Sequence, residues 1–314
     1  VTESSYVYIF YNKITDNGAD GIGVAKSSKV YIHGNTITGN KASGIVLSKS
    51  INGKKYSEGP SDVHINKNTL TKNSNNGILI RNAGDNIKIN SNDISNNKEN
   101  GLAISEVGTI SIQSNVITEN LQYGIQFFGG YVKPKTQVIS YNVIFANTHM
   151  DVEAKDTYYQ ENDRLELGDN WYTDHGLICP KIKTNPIKFT VTQIGPNKYQ
   201  AVFTDSNGNI ASLLPDRTLT YQTNNGEKIT MTIKGGAAVF TVDANNKDIV
   251  KATVDKSRRD NTHDLDTKSV EGYNGQSPEY TYPEIPQDDL YGMGAGTGNG
   301  NGNGQDHGGN TNKG

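Results

Sequence analysis

The chain has 314 residues, 33% hydrophobic, 8% aromatic and 20% charged, with a formal net charge of -3. That balance, without a basic stripe, excludes nucleic acid and anionic membrane surfaces as electrostatic partners, and no apolar run is long enough to span a bilayer. A single cysteine, Cys179, excludes an internal disulfide framework and a Cys-based metal site.

The first half is written in one motif, Asn-x4-Asn-x3-Gly. It occurs as Asn12/Asn17/Gly21, Asn35/Asn40/Gly44, Asn68/Asn73/Gly77, Asn92/Asn97/Gly101 and Asn115/Asn120/Gly124. A sixth copy keeps Asn142 and Asn147 but has Asp151 in the glycine slot, and the leading asparagines are 23, 33, 24, 23 and 27 residues apart. Self-similarity at this period marks a solenoid. Counting from the leading Asn, apolar residues fall at minus 5, minus 3 and plus 2 (Val30, Ile32 and Ile37, for example), and two more follow each Gly (Ile45 and Leu47). They alternate with polar residues, the period-2 signature of strands buried on one face. Each copy therefore reads as three short strands, and the whole as a parallel β-helix with an Ile/Val/Leu interior; a β-propeller needs longer repeats, of about 40–45 residues.

Asn and Gly are expected at the corners because both tolerate positive φ. Asn12, Asn35, Asn68, Asn92, Asn115 and Asn142 are expected to stack as an amide ladder. The Asn-to-Gly part never changes length, so extra residues emerge from one sector of the coil: around 49–61, 129–135 and 155–163. Insertions confined to one face often mark a binding side, and equally long surface loops are simply tolerated. The chain opens inside a repeat and reads as an excised segment of a longer protein.

Beyond the sixth coil, 164–178 holds Asn170 and the sole Trp, Trp171, expected to cap the open core. Residues 186–256 change character: Phe189–Val191, Tyr199–Phe203, Leu219–Tyr221, Ile229–Ile233, Ala238–Val242 and Val250–Val254 alternate between Gly/Asn turns. Short strands so spaced suggest a small antiparallel sandwich. Asp205–Asn209 lacks the bidentate Glu of a calcium loop and reads as a plain turn. Residues 257–314, ending in a run of Gly, Asn and small polar residues, cannot bury enough apolar surface to fold and read as a flexible spacer. The expected fold is thus all-β: a β-helix over 1–178, a small sandwich over 186–256 and a disordered Gly/Asn-rich tail.

Coils of the form V-x-I-x-x-N-x-I-T-x-N-x-x-x-G-I, with Asn170-Trp171 near their end and a Gly/Asn spacer, resemble right-handed parallel β-helix repeats. The closer resemblance is to adhesin-like surface proteins of methanogenic archaea, which implies that the second module is immunoglobulin-like and the protein extracellular, at the cell surface or wall.

Aligning the outward positions coil by coil gives Tyr8, Tyr31, His64, Lys88 and Ser111 at minus 4, and Phe10, His33, Asn66, Asn90 and Gln113 at minus 2. At plus 1 stand Lys13, Thr36, Thr69, Asp93 and Val116. None of these columns stacks two acids beside a base, so no catalytic residue, metal site or cofactor is expected. Tyr8, Phe10, Tyr31 and His33 form an outward aromatic cluster suited to sugar stacking or to packing against another coil, and Tyr56, Tyr131 and Lys133 on the insertion loops form a second candidate patch. The reading is a monomeric, non-catalytic adhesin that binds a glycan or surface protein of a partner cell without inserting into a membrane. Its alternatives are a polysaccharide lyase or hydrolase of the β-helix class and a structural stalk.

Overall fold

The structure is a computed structural model, and it describes residues 1–129, 136–154, 165–172, 178, 182–243 and 249–254. The regular structure of these residues is all strand, and 18 of the strands form three parallel six-stranded sheets. Sheet 1 stacks Ser5–Phe10, Ser28–His33, Ser61–Asn66, Ile87–Asn90, Thr109–Gln113 and Thr136–Ser140. Sheet 2 stacks Lys13–Thr15, Thr36–Thr38, Thr69–Thr71, Asp93–Ser95, Val116–Thr118 and Val143–Phe145. Sheet 3 stacks Ile22–Val24, Ile45–Ser48, Ile78–Arg81, Leu102–Ile104, Tyr123–Phe127 and Met150–Ala154. Each coil contributes one strand to each sheet, so the chain is a solenoid of about six turns. The parallel pairing continues beyond residue 178, because Leu165–Asn170 pairs with Ile182–Pro186 and Ile182 joins the solenoid core.

The interior is a set of aliphatic columns. Val30, Val63, Ile87 and Ile110 stand in register in sheet 1 and are 0–3% exposed. Fully burying one such side chain contributes about 1.5–3 kcal/mol, so the coils hold together chiefly through these columns.

Amide ladders join the coils at two corners. Asn35 Nδ2 donates to Asn68 Oδ1 at 2.9 Å, Asn68 to Asn92 at 3.0 Å, Asn92 to Asn115 at 2.9 Å and Asn115 to Asn142 at 2.9 Å. Asn12 opens this ladder and Asn170 closes it. Each acceptor oxygen also takes the backbone N–H of the preceding asparagine, as Asn92 Oδ1 does from Asn68 at 2.9 Å. Each buried amide is thereby satisfied, which removes the penalty of placing it in a dry core. A second ladder runs from Asn17 to Asn147 and ends on the Asp151 carboxylate, 2.8 Å from Asn147 Nδ2.

The corners correct the expected reason for Asn and Gly. The left-handed residues are those just before the ladder asparagines: Tyr11, Gly34, Lys67, Ser91, Ser114 and Tyr141 at one corner, Asp16, Gly39, Lys72, Asn96, Glu119 and Ala146 at the next. The repeat glycines instead answer to space. A Cβ on Gly101 would lie 2.7 Å from Gly124 O and 2.9 Å from Asn120 Nδ2, closer than atoms pack.

The insertion at 49–61 folds back on the solenoid. Ser50–Ile51 and Lys54–Lys55 form a hairpin whose Ile51 lies over Gly23, and Lys54 Nζ reaches Glu3 at 3.1 Å. The sector is therefore partly a cover over the first coil. The other two insertions lie in large part outside the described residues, as do residues 257–314 and the spacer read there.

The second module has two three-stranded antiparallel sheets: Lys188–Gly195, Lys198–Thr204 and Ala237–Thr241 in one, Lys228–Ile233, Arg217–Thr223 and Ile249–Val254 in the other. Trp171 is 6% exposed and packs edge-on against Phe203 at 5.0 Å, in a core shared by Val143 and Phe145 of the solenoid with Phe189 and Leu214 of the module. The tryptophan expected as a cap sits in a hydrophobic core shared by the solenoid and the module. Polar contacts flank it: Tyr141 Oη donates to Asp205 Oδ2 at 3.3 Å, and Ser206 N donates to Asp169 Oδ1 at 2.8 Å.

Candidate functional site

The outward surface of sheet 1 carries its chemistry on the first four coils. The parallel register sets Tyr8 against Tyr31, Tyr31 against His64 and His64 against Lys88. Side chains so aligned repeat at the strand spacing of about 4.8 Å, the natural separation of stacked rings. Tyr8 and Tyr31 stack at 5.2 Å with ring planes 9° apart, and Tyr31 lies 4.9 Å from His64, tilted by 46°. Phe10 meets Tyr8 edge-on at 5.5 Å and His33 at 5.8 Å, and Tyr11 packs on His33 at 5.4 Å. Tyr8, Phe10, Tyr31 and His33 are thus one continuous platform, with Tyr8 59% and Phe10 44% exposed. Tyr11 extends it.

A further column, at minus 6, holds the polar half of the site: Tyr6, Lys29, Asp62 and Asn86, each in a left-handed corner conformation. Lys29 Nζ donates to Tyr6 Oη at 2.5 Å, and Asn86 Nδ2 donates to Asp62 Oδ1 at 2.6 Å. The Tyr6 hydroxyl, with Asp62 and Tyr31 adding to it, raises the Lys29 ammonium above the usual lysine value, so it stays charged. Asp62 and His64 are two residues apart on one strand and so share its outer side; His64 Nε2 sits 3.1 Å from Asp62 Oδ1, with both side chains 30% exposed. The result is an oriented imidazole ring between a tyrosine and a lysine of the neighbouring coils.

The alignment at minus 4 and minus 2 reached His64 and Lys88 but stopped short of Asp62. The signal was available: an Asp two residues before an outward His on a strand shares its face. It hides in the corner column, where Tyr, Lys, Asp and Asn follow no common pattern.

The second expected patch differs. Tyr56 is 8% exposed, its amide bonded to Lys49 O at 2.9 Å and its ring capped by Lys54 Nζ at 4.8 Å. The insertion hairpin buries it, so it offers no open stacking face. Tyr131 and Lys133 lie outside the described residues.

Two features of the wider surface bear on chemistry. Among the described residues, Asp62 is the one carboxylate carried by the strands of sheet 1. Among the described residues no helix is long and apolar enough to cross a membrane.

A family model described as right handed beta helix region matches residues 1–91 and 56–186. No curated protein matches the chain. Similar solved structures include two mutants of the periplasmic alginate epimerase AlgG and the A-module of the Azotobacter vinelandii mannuronan C-5 epimerase AlgE4. The AlgG matches share 17% and 18% identity over 49% and 57% of this chain and 39% and 46% of theirs, each with a TM-score of 0.41. The AlgE4 match shares 16% over 57% of this chain and 55% of that one, with a TM-score of 0.43. The chain thus spans about half of those proteins or less. The expectation of no enzyme does not stand beside these matches, which are named as alginate and mannuronan C-5 epimerases. At such identities the likeness is one of fold, and the chemistry has to be read from the residues of this chain.

Proposed function

Since the chain belongs to the right-handed β-helix family, we propose that its sheet 1 face binds an acidic polysaccharide and removes a proton from it. The observation that carries this reading is His64, paired with Asp62 at 3.1 Å and stacked on Tyr31 at 4.9 Å. A uronate residue has a hydrogen on the carbon next to its carboxylate. His64 Nδ1 takes that proton as general base, and Asp62 holds the ring and stabilises the imidazolium that forms. Lys88, in register with His64, and Lys29 offset the carboxylate charge that grows as the proton leaves. Tyr8, Phe10 and Tyr31 stack against neighbouring sugar rings and fix the chain across the coils. Expulsion of the 4-linked sugar from the carbanion, its oxygen taking up a solvent proton, gives an unsaturated end, and delivery of a solvent proton to the opposite face gives the epimer; both begin with the same step.

A hydrolase is the weaker form of the carbohydrate-active reading, because glycoside hydrolysis uses two carboxyl groups roughly 5–9.5 Å apart and sheet 1 carries Asp62 alone. We read the protein as secreted or surface-displayed, where it meets such polymers. That placement draws on its resemblance to adhesin-like surface proteins of methanogenic archaea, with the two-sheet module read as immunoglobulin-like. The test is incubation with polymannuronate and polygalacturonate in deuterated water. Deuterium at the carbon beside the carboxylate, or unsaturated chain ends, is expected. Proton retention with no unsaturated product on any polyuronate overturns the reading.

A further inference from the structure

The joint between the solenoid and the two-sheet module borders an open groove that the sheet 1 chemistry does not use. Its volume is about 420 Å3, within the range of small-ligand sites, and such sites favour module interfaces. One wall is built from two successive coils: Ser91 and Ser114 at the left-handed corner, and Asp93 and Val116 at the first position of sheet 2. The other wall is the turn at 212–216 of the second module, with Leu213 and Asp216. The turn is braced by Arg217, whose Nε donates to Asp216 O at 2.7 Å and Pro215 O at 3.3 Å. Leu214 beside it is 3% exposed and anchored in the joint core, while Leu213 is 54% exposed at the rim.

Two features distinguish this groove from bare surface. Column plus 1 is Lys13, Thr36, Thr69, Asp93, Val116 and Val143 along the stack, so its one carboxylate stands where the module arches over the coils. Asp93 stays open to solvent at the mouth, yet the protein around it displaces enough water to push its carboxyl up, with Ser95 and Arg217 acting in the opposite sense. A partly desolvated acceptor gains more from a hydrogen-bond donor than a fully hydrated one. The lining then has a definite character: acceptor carboxylates and serine hydroxyls on the sides, with Val116 and Leu213 offering apolar contact.

We infer that this groove binds an uncharged sugar residue of a glycan, its hydroxyls donating to Asp93 and Asp216 and its apolar ring face lying on Leu213 and Val116. Two carboxylates in the lining outnumber the single Arg217 charge that acts on Asp93 and so disfavour a uronate, and the groove and the sheet 1 face select opposite kinds of sugar. The groove stands on its own lining and does not depend on the proton-abstraction reading.

The test is calorimetric titration of the full chain with cellohexaose, mannohexaose and an oligouronate of the same length. Saturable binding of at least one neutral hexasaccharide is expected. It should weaken roughly tenfold or more in Asp93→Ala and in Asp216→Ala, since each loses hydrogen bonds to a charged acceptor. Leu213→Ser, a change at an exposed rim that leaves the fold intact, provides a third variant and should weaken binding as well. Ser111→Ala, outside both the groove and the aromatic platform, should leave neutral-sugar binding unchanged even if the sheet 1 reading fails. Absence of binding by both neutral probes overturns the inference. So does wild-type affinity in all three groove variants, or oligouronate binding that these three variants weaken as they weaken the neutral probes.

Discussion

Sheet 1 has two ends built on one plan. On coils one to four its outward minus 4 column is Tyr8, Tyr31, His64 and Lys88; on coils five and six it is Ser111 and Val138. The inward residues keep their kind through coil five, with Val30 and Ile32 at one end answered by Ile110 and Ile112 near the other, and only Gln137 on the sixth coil departs from it. Stacking explains the uniformity, because each inward side chain must fit the one above and below it, whereas outward positions answer only to solvent or ligand. Chemistry concentrated at one end of an otherwise repetitive surface is therefore information about function. The inner half of each strand holds the coil, and the outer half is free to act.

The sharpest way to break that division is to damage the inner half. Asn92→Leu removes donors to Asn115 Oδ1 and Ile65 O and the acceptor for two Asn68 N–H groups. Several buried polar groups at about 1–3 kcal/mol each should cost about 4 kcal/mol or more in urea unfolding. Gly101→Ala forces a methyl onto Gly124 O and Ile117 Cγ2, and overpacking of this kind should cost about 2–3 kcal/mol in the same measurement.

The joint to the second module is the next test. Burial alone would raise the Asp205 carboxyl, but hydrogen bonds from Asn209, Asn207 and Tyr141 outweigh it and hold the group below its ordinary value. A carboxyl lowered on folding contributes stability above its unfolded pKa, near 3.8, and loses it as pH falls through the lower folded value. Asp205→Asn should therefore destabilise by about 1–2 kcal/mol at neutral pH, with the gap to wild type closing below about pH 4. Thermal melts across that range check it. The smallest stability effect belongs to the outer half: His64→Ala and Ser111→Ala should each change unfolding free energy by less than about 1 kcal/mol.

Much of the solenoid was legible because its rules are local and repeated. The Val/Ile positions, the Asn columns and the six alternating segments after residue 186 all announce strands through period 2 and turn residues. What escaped was not periodic. Left-handed corners fall on Tyr11, Lys67, Ser91 and Ser114, residue types with no shared preference for positive φ, since the stack imposes the conformation. Tyr56 is covered by a hairpin that packs on the first coil, a contact between an insertion and a distant strand. The Asp62–His64 pair depends on a corner residue facing a strand residue, and the groove at Asp93 exists only because the module folds back over coils four and five.

The central claim is that one end of sheet 1 is chemically active and that His64 is its base. It is tested most directly by following deuterium incorporation into a polyuronate with wild type, His64→Ala and Ser111→Ala, each matched for folding by circular dichroism. The account predicts exchange or unsaturated product with wild type and Ser111→Ala, and its loss by at least a hundredfold with His64→Ala. Equal rates in all three, or no exchange in any, would contradict it.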